Sequence, residues 1–212
     1  MARLLINGET YLRSLDKAYW LVVGFCLFDL SYEQYDLVGQ AQKGAYDPET
    51  AVQLARAIRG RTRWLTTQEL TDVLAGDGIR HHVSTLKDLE LDSKDDAVWS
   101  RIRATLESLF AIAEKTRGIS HVLLTKALHP FCSKAMPILD NLVIPHTYPE
   151  TRGGISQVEA IRNDLIASRD ALRTLAARLG ESGIWLSRVR IFDMILWARH
   201  RRDAVGIQFG LE

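Results

Sequence analysis

Apolar positions recur every three or four residues along most of this chain. Val98, Ile102, Leu106, Leu109 and Ala113 lie on one face of an amphipathic helix. The pattern predicts that Ser93 caps it and Gly118 ends it. Lys115 and Arg117 fall in its last turn, where cations suit the helix dipole. A second helix is expected at once, from His121 to about His129, where Pro130 breaks it. A long helix from about Ser156 to Leu179 carries the stripe Val158, Ile161, Leu165, Leu172, Leu175 and Leu179. The last helix runs from about Ser187 to Arg202, with Val189, Phe192, Leu196 and Trp197 inward.

Shorter elements carry their own signals. Asp47-Pro48-Glu49 opens a helix, with Asp as N-cap and Pro in the first turn, that stops at Gly60. Thr66-Thr67-Gln68-Glu69 opens another that stops near Gly76. The apolar run Ala18 to Phe28 reads as a core helix, and Met136 to Val143 as one or two helical turns. Pro145, Pro149 and Gly153-Gly154 mark a loop. Strand signals are confined to Arg3-Leu4-Leu5-Ile6 and Tyr32 to Val38. The expectation is an all-α fold with little or no sheet. It is a single helical domain over residues 1–212, with a helix-hairpin-helix at about 95–130 and C-terminal helices at about 156–202.

Composition narrows the class. A chain of 212 residues that is 47% apolar and 25% charged can bury a full core and is not of disordered type. Its formal charge of +1 lacks the basic excess of a sequence-tolerant nucleic-acid binder, so DNA binding would need a local patch. The two cysteines, Cys26 and Cys132, form no metal spacing and suit a reducing, cytoplasmic setting. The apolar run at Ala18 ends at Asp29, short of the roughly 20 residues a membrane span needs, and no signal peptide is visible.

The stretch Leu109 to Val143 holds the chemistry. A helix leads through Gly118-Ile119-Ser120 into a second helix, and Pro137-Ile138-Leu139-Asp140 follows. The first N–H groups of a helix have no partner within it and suit an anion, and glycine at the turn lets a phosphate approach the backbone. This stretch resembles the hairpin of the helix-hairpin-helix DNA glycosylases, which include adenine glycosylases, endonuclease III and 8-oxoguanine glycosylases. In that family an apolar helix leads into Gly-apolar-Gly, and a helix and then an aspartate follow. The step from Ser120 to Asp140 is 140 − 120 = 20 residues, the family's usual separation. Adenine glycosylases write the aspartate as Pro-Ile-Leu-Asp, repeated here and followed by apolar Val143.

The resemblance implies a DNA-phosphate site at Gly118, Ile119, Ser120, His121 and Lys126. It implies that Asp140 stabilises the sugar cation, or activates water, as a flipped-out base departs. Several features depart from the family. Ser120 replaces the second glycine, and its hydroxyl can cap the second helix itself. Val122 stands where bifunctional enzymes carry a nucleophilic lysine, which implies a monofunctional enzyme. The arginine that often follows the aspartate is missing, and no four-cysteine cluster or other cofactor site is present. Glu33 or Asp36 could supply a second acid, but no motif selects either. Lys126-Ala127-Leu128-His129-Pro130 and Arg190 to Trp197 also look like a group of uncharacterised bacterial proteins with no assigned activity. Asp140 reads more commonly as a helix cap, and Gly118 reads equally as a C-cap between packed helices. The alternative function is therefore a catalytically inactive helical protein that binds DNA or protein on the same scaffold.

Two arginine groups could follow a phosphate backbone: Arg56, Arg59 and Arg63, and Arg188, Arg190, Arg199, Arg201 and Arg202. For each set alone, a solvated face or intramolecular pairs with Asp or Glu is the commoner arrangement. His81-His82, His121, His129, Cys132 and His146 offer no regular metal-ligand spacing. The five tryptophans read as core or rim packing.

Overall fold

Residues 3–12, 14–28, 35–37, 45–58 and 65–205 are described in the computed structural model, and the following concerns those residues. They are mostly helical, with one small two-stranded sheet. The chain divides into two compact units: Met1–Leu30 with Asp140–Glu212, and Ser31–Leu139.

The first unit opens with strands β1 (Leu4–Ile6) and β2 (Glu9–Leu12), which pair antiparallel with Ile6 opposite Glu9. Asn7 and Gly8 form the two-residue turn, both at positive φ (51° and 72°), as this tight hairpin demands. Helix α1 (Leu15–Phe28) is the core helix expected from the apolar run. It packs on β2 and on two later helices, α9 (Arg169–Glu181) and α10 (Arg188–Val205). The unit is completed by α7 (Val143–Thr147) and α8 (Gly154–Ala167).

The second unit holds α2 (Pro48–Ala57), α3 (Thr67–Leu74), α4 (Asp77–Leu86), α5 (Asp96–Lys115) and α6 (His121–Leu128), with a 3₁₀ turn at His129–Phe131. Asp47 caps α2 by accepting from the Thr50 N–H. Thr66 and Glu69 cap α3 reciprocally, which satisfies two donors that the helix cannot. On α5 the predicted face is inward: Ile102, Leu106, Leu109 and Ala113 are buried, and only Val98, in the first turn, is half-exposed.

Four expectations need correction. The long helix at 156–179 is two helices, α8 and α9, separated at Ser168. Ser168 Oγ accepts the Leu5 N–H at 2.8 Å, so the interruption falls where the helix meets β1. The stripe is inward nonetheless, from Val158 through Leu179. Residues 136–140 are irregular instead of helical. Pro137 has no N–H to give, and the Leu139 N–H is taken by Thr125 Oγ1 at 3.1 Å. The cap of α5 is Asp95, which accepts from the Ala97 N–H at 2.8 Å, while Ser93 accepts from Asp95 itself. Residues 35–37, inside the second strand candidate, are helical. Gly60, Arg59, Arg63, Glu33 and the Arg202 side chain lie outside the described residues.

Candidate functional site

The connection between α5 and α6 is five residues long, from Thr116 to Ser120. Thr116 ends α5: its N–H reaches the Ala113 carbonyl at 3.2 Å and its hydroxyl the Ile112 carbonyl at 2.8 Å. The Ile119 N–H returns to the Thr116 carbonyl at 3.1 Å and closes a turn. That turn sets Gly118 at φ 90°, a left-handed conformation that a β-carbon would strain. Ile119 is buried and Ser120 is exposed, so the apolar residue between Gly118 and Ser120 pins the turn to the core.

Ser120 is the N-cap of α6. Its Oγ accepts the Leu123 N–H at 3.2 Å, and its carbonyl accepts the Leu124 N–H at 2.9 Å. The hydroxyl thus occupies the third N–H of the helix. The N–H groups of His121 and Val122 also lie in the first turn, ahead of any carbonyl of their own helix. The His121 ring is turned back onto α5, where it packs on Phe110 at 4.5 Å and lies 3.4 Å from Glu114 Oε1. Lys115 and Arg117 are exposed on the approach to the turn.

Lys126 is placed differently from a surface cation. It is buried, and its Nζ donates to the Ile58 carbonyl at 3.3 Å. Its own carbonyl accepts the Tyr35 hydroxyl at 2.8 Å. Lys126 therefore ties α6 to α2 and to residues 35–37. Asp36 is half-buried on that same short stretch.

Thr125, fully buried on α6, is a residue the sequence did not single out. By accepting the Leu139 N–H it fastens the Pro-Ile-Leu run to the helix. A buried threonine has no signature that separates it from the apolar positions around it.

Asp140 is half-buried at the head of α7. Its Oδ1 accepts the Leu142 N–H at 2.9 Å and the Val143 N–H at 3.4 Å, and its carbonyl accepts the Ile144 N–H at 3.0 Å. One carboxylate oxygen therefore organises the turn into α7. Val143 and Ile144 behind it are buried, whereas Asn141 and Leu142 are exposed.

The arginine groups resolve in part. Arg190 is buried at 1% exposure, pairs with Asp193 and lies over the Phe25 ring at 5.6 Å. It is a packing element of the first unit, not a surface cation. Arg199 lies over Tyr11 and Arg201 over Trp197, while Arg56 is exposed. Among the described residues, no three His, Cys, Asp or Glu side chains gather as a metal site. None of the helices described is long and apolar enough to cross a membrane. Comparison with known families, with curated proteins and with solved structures finds no match to this chain.

Proposed function

We propose that this chain is a DNA-glycosylase-like nucleic-acid-binding protein with a helix-hairpin-helix, and that it releases a base by hydrolysing its N-glycosidic bond without cutting the strand. The observation that carries the reading is the α5–α6 turn. Gly118 at positive φ leads into the exposed cap Ser120, and two exposed cations, Lys115 and Arg117, come just before it in the chain. That is the chemistry of a phosphate contact. In this reading the main chain from Gly118 to His121 holds the phosphate, and Lys126 supports α6 from beneath. Asp140 supplies the negative charge that stabilises the cation developing on the sugar as the base departs. Val122 offers no amine, so no Schiff base forms and the product is an abasic site in an intact strand.

A second reading is favoured by a separate observation. Asp140 Oδ1 is already occupied by two backbone N–H groups and Ser120 Oγ by a third, which is what a purely structural cap looks like. On that reading the scaffold is non-catalytic and binds nucleic acid or protein.

Duplexes carrying uracil, 8-oxoguanine mispairs, hypoxanthine or an alkylated base, assayed with and without alkali, separate the two. Base release revealed only by alkali, abolished in Asp140→Asn with duplex binding retained, is the expected outcome. Duplex binding with no release on any lesion would favour the non-catalytic scaffold, and release undiminished in Asp140→Asn would remove Asp140 from the mechanism.

A further inference from the structure

The imidazoles of His146 and His200 meet at the surface of the first unit. Their ring centres are 5.1 Å apart and their planes cross at 74°. His146 is on α7 and His200 on α10, and these two helices pack together. Both backbones are held. Ile144, Thr147 and Tyr148, around His146, are buried, and the Tyr148 N–H closes on the Ile144 carbonyl at 2.8 Å. On α10, Leu196 and Ala198 are buried just ahead of His200. His146 itself is exposed and His200 is half-buried, so solvent reaches the pair.

We infer that His146 and His200 form a two-ligand zinc site, with water in the remaining positions. The neutral imidazole nitrogen is a preferred ligand of zinc. The separation of the rings is the one such an ion requires. Two imidazoles bound at about 2.1 Å to a tetrahedral ion, with each ring centre about 1.1 Å behind its nitrogen, have their centres about 5 Å apart. Each ring centre also lies close to its own Cβ–Cγ axis. Turning a ring about that axis therefore aims a nitrogen at the shared point and leaves the spacing unchanged, and this torsion is soft. His81 and His82 show the contrast. Their rings are 5.7 Å apart, but they are successive residues of α4, and successive residues do not share a helix face. A bound ion ties α7, a helix of five residues, to α10, a crosslink that so short a helix cannot supply for itself. Neither DNA nor Asp140 takes part in it.

The test uses the full chain, free of any histidine tag and stripped with a chelator, titrated with zinc chloride in a calorimeter. Saturation at one ion per chain is expected, together with a rise in melting temperature that EDTA reverses. His146→Ala, at an exposed position, should lose both the binding heat and the rise, while its metal-free melting temperature stays close to that of the wild type. His200→Ala should lose them as well, and should that variant fail to fold, His146→Ala decides alone. His81→Ala, which disrupts the other histidine pair, should retain both. No saturable uptake by the wild-type chain, uptake undiminished in His146→Ala, or an equal loss with His81→Ala would overturn the site. Each of these outcomes leaves the glycosylase reading where it stands, because no DNA is present in the assay.

Discussion

The Tyr148 hydroxyl donates to Asp164 Oδ2 at 2.8 Å, and the same carboxylate accepts the N–H groups of Asn7 and Gly8 at 2.5 and 3.1 Å. Three donors from two distant parts of the chain converge on one group that is only 4% exposed. Asp164 therefore fastens the β1–β2 turn to α8, and Ser168, one helical turn on, fastens β1 itself.

Removing that carboxylate leaves the buried Tyr148 hydroxyl without its acceptor and releases two backbone N–H groups of the exposed turn. Asp164→Ala is expected to destabilise the protein by about 2 kcal/mol or more, because the orphaned buried phenol alone costs roughly 1–3 kcal/mol and two charge-assisted bonds to the turn are lost with it. Tyr148→Phe, which deletes one bond and leaves the backbone pair intact, should cost about 1 kcal/mol. Urea unfolding of both variants gives the ranking; equal costs would mean that the turn is held by something other than Asp164.

Burial raises the Tyr148 phenol far above its ordinary range, and the Asp164 charge adds to the rise; burial likewise raises Tyr46 and the Cys132 thiol. All three hold their protons in the folded chain at pH values where the unfolded chain releases them. Their contribution is complete below the unfolded values and is lost as pH rises. Stability should decline from roughly pH 9 through the thiol, and more steeply above about pH 10 through the two phenols. Melting curves across this range should show the decline. Cys132→Ala should flatten its lower part and Tyr148→Phe its upper part.

Helices were legible where periodicity and caps agreed. The α5 stripe from Ile102 to Ala113 and the Thr66–Glu69 capping box are local signals, and both hold in the fold. The misses have tertiary causes. The break at Ser168 depends on Leu5, which is 163 residues away, and the irregular run before Asp140 depends on Thr125. No local window contains the first pair, and the second spans 14 residues across a helix end and Pro130. The β1–β2 hairpin is different, because Asn7-Gly8 is itself a strong local turn signal and only the strand patterns on either side of it are weak. At the site, the positive φ of Gly118 and the cap at Ser120 follow from residue type. The burial of Lys126 does not: its (CH₂)₄ stem packs like an apolar residue, and its amine finds the Ile58 carbonyl.

That burial makes a prediction about DNA. A lysine that gripped a phosphate would, on removal, lower the slope of log affinity against log salt by about 1. Lys126→Met keeps the stem and removes only the buried amine. It should leave the salt slope of duplex binding unchanged while shifting the melting temperature. Lys115→Met and Arg117→Met, at exposed positions flanking the turn, should each reduce the slope. A fall with Lys126→Met equal to theirs would return Lys126 to the phosphate contact.

The turn itself can be tested by backbone chemistry alone. Gly118 has φ 90°, and an L side chain there is strained by about 1–2 kcal/mol. Gly118→Val should therefore lower stability by that order and shift the first-turn N–H groups of α6 away from their present surface. Asparagine tolerates left-handed backbone better than most residues, so Gly118→Asn should recover part of the stability. If the main chain from Gly118 to His121 binds phosphate, affinity should follow the same order, glycine above asparagine above valine, when measured well below each variant's melting temperature. The order matters because charge is identical in all three proteins, so a loss of affinity reports the geometry of the turn and not the local potential. Affinity that stayed level while stability fell would mean that the α5–α6 turn is a connection between packed helices and that duplex DNA, where it binds, is held elsewhere.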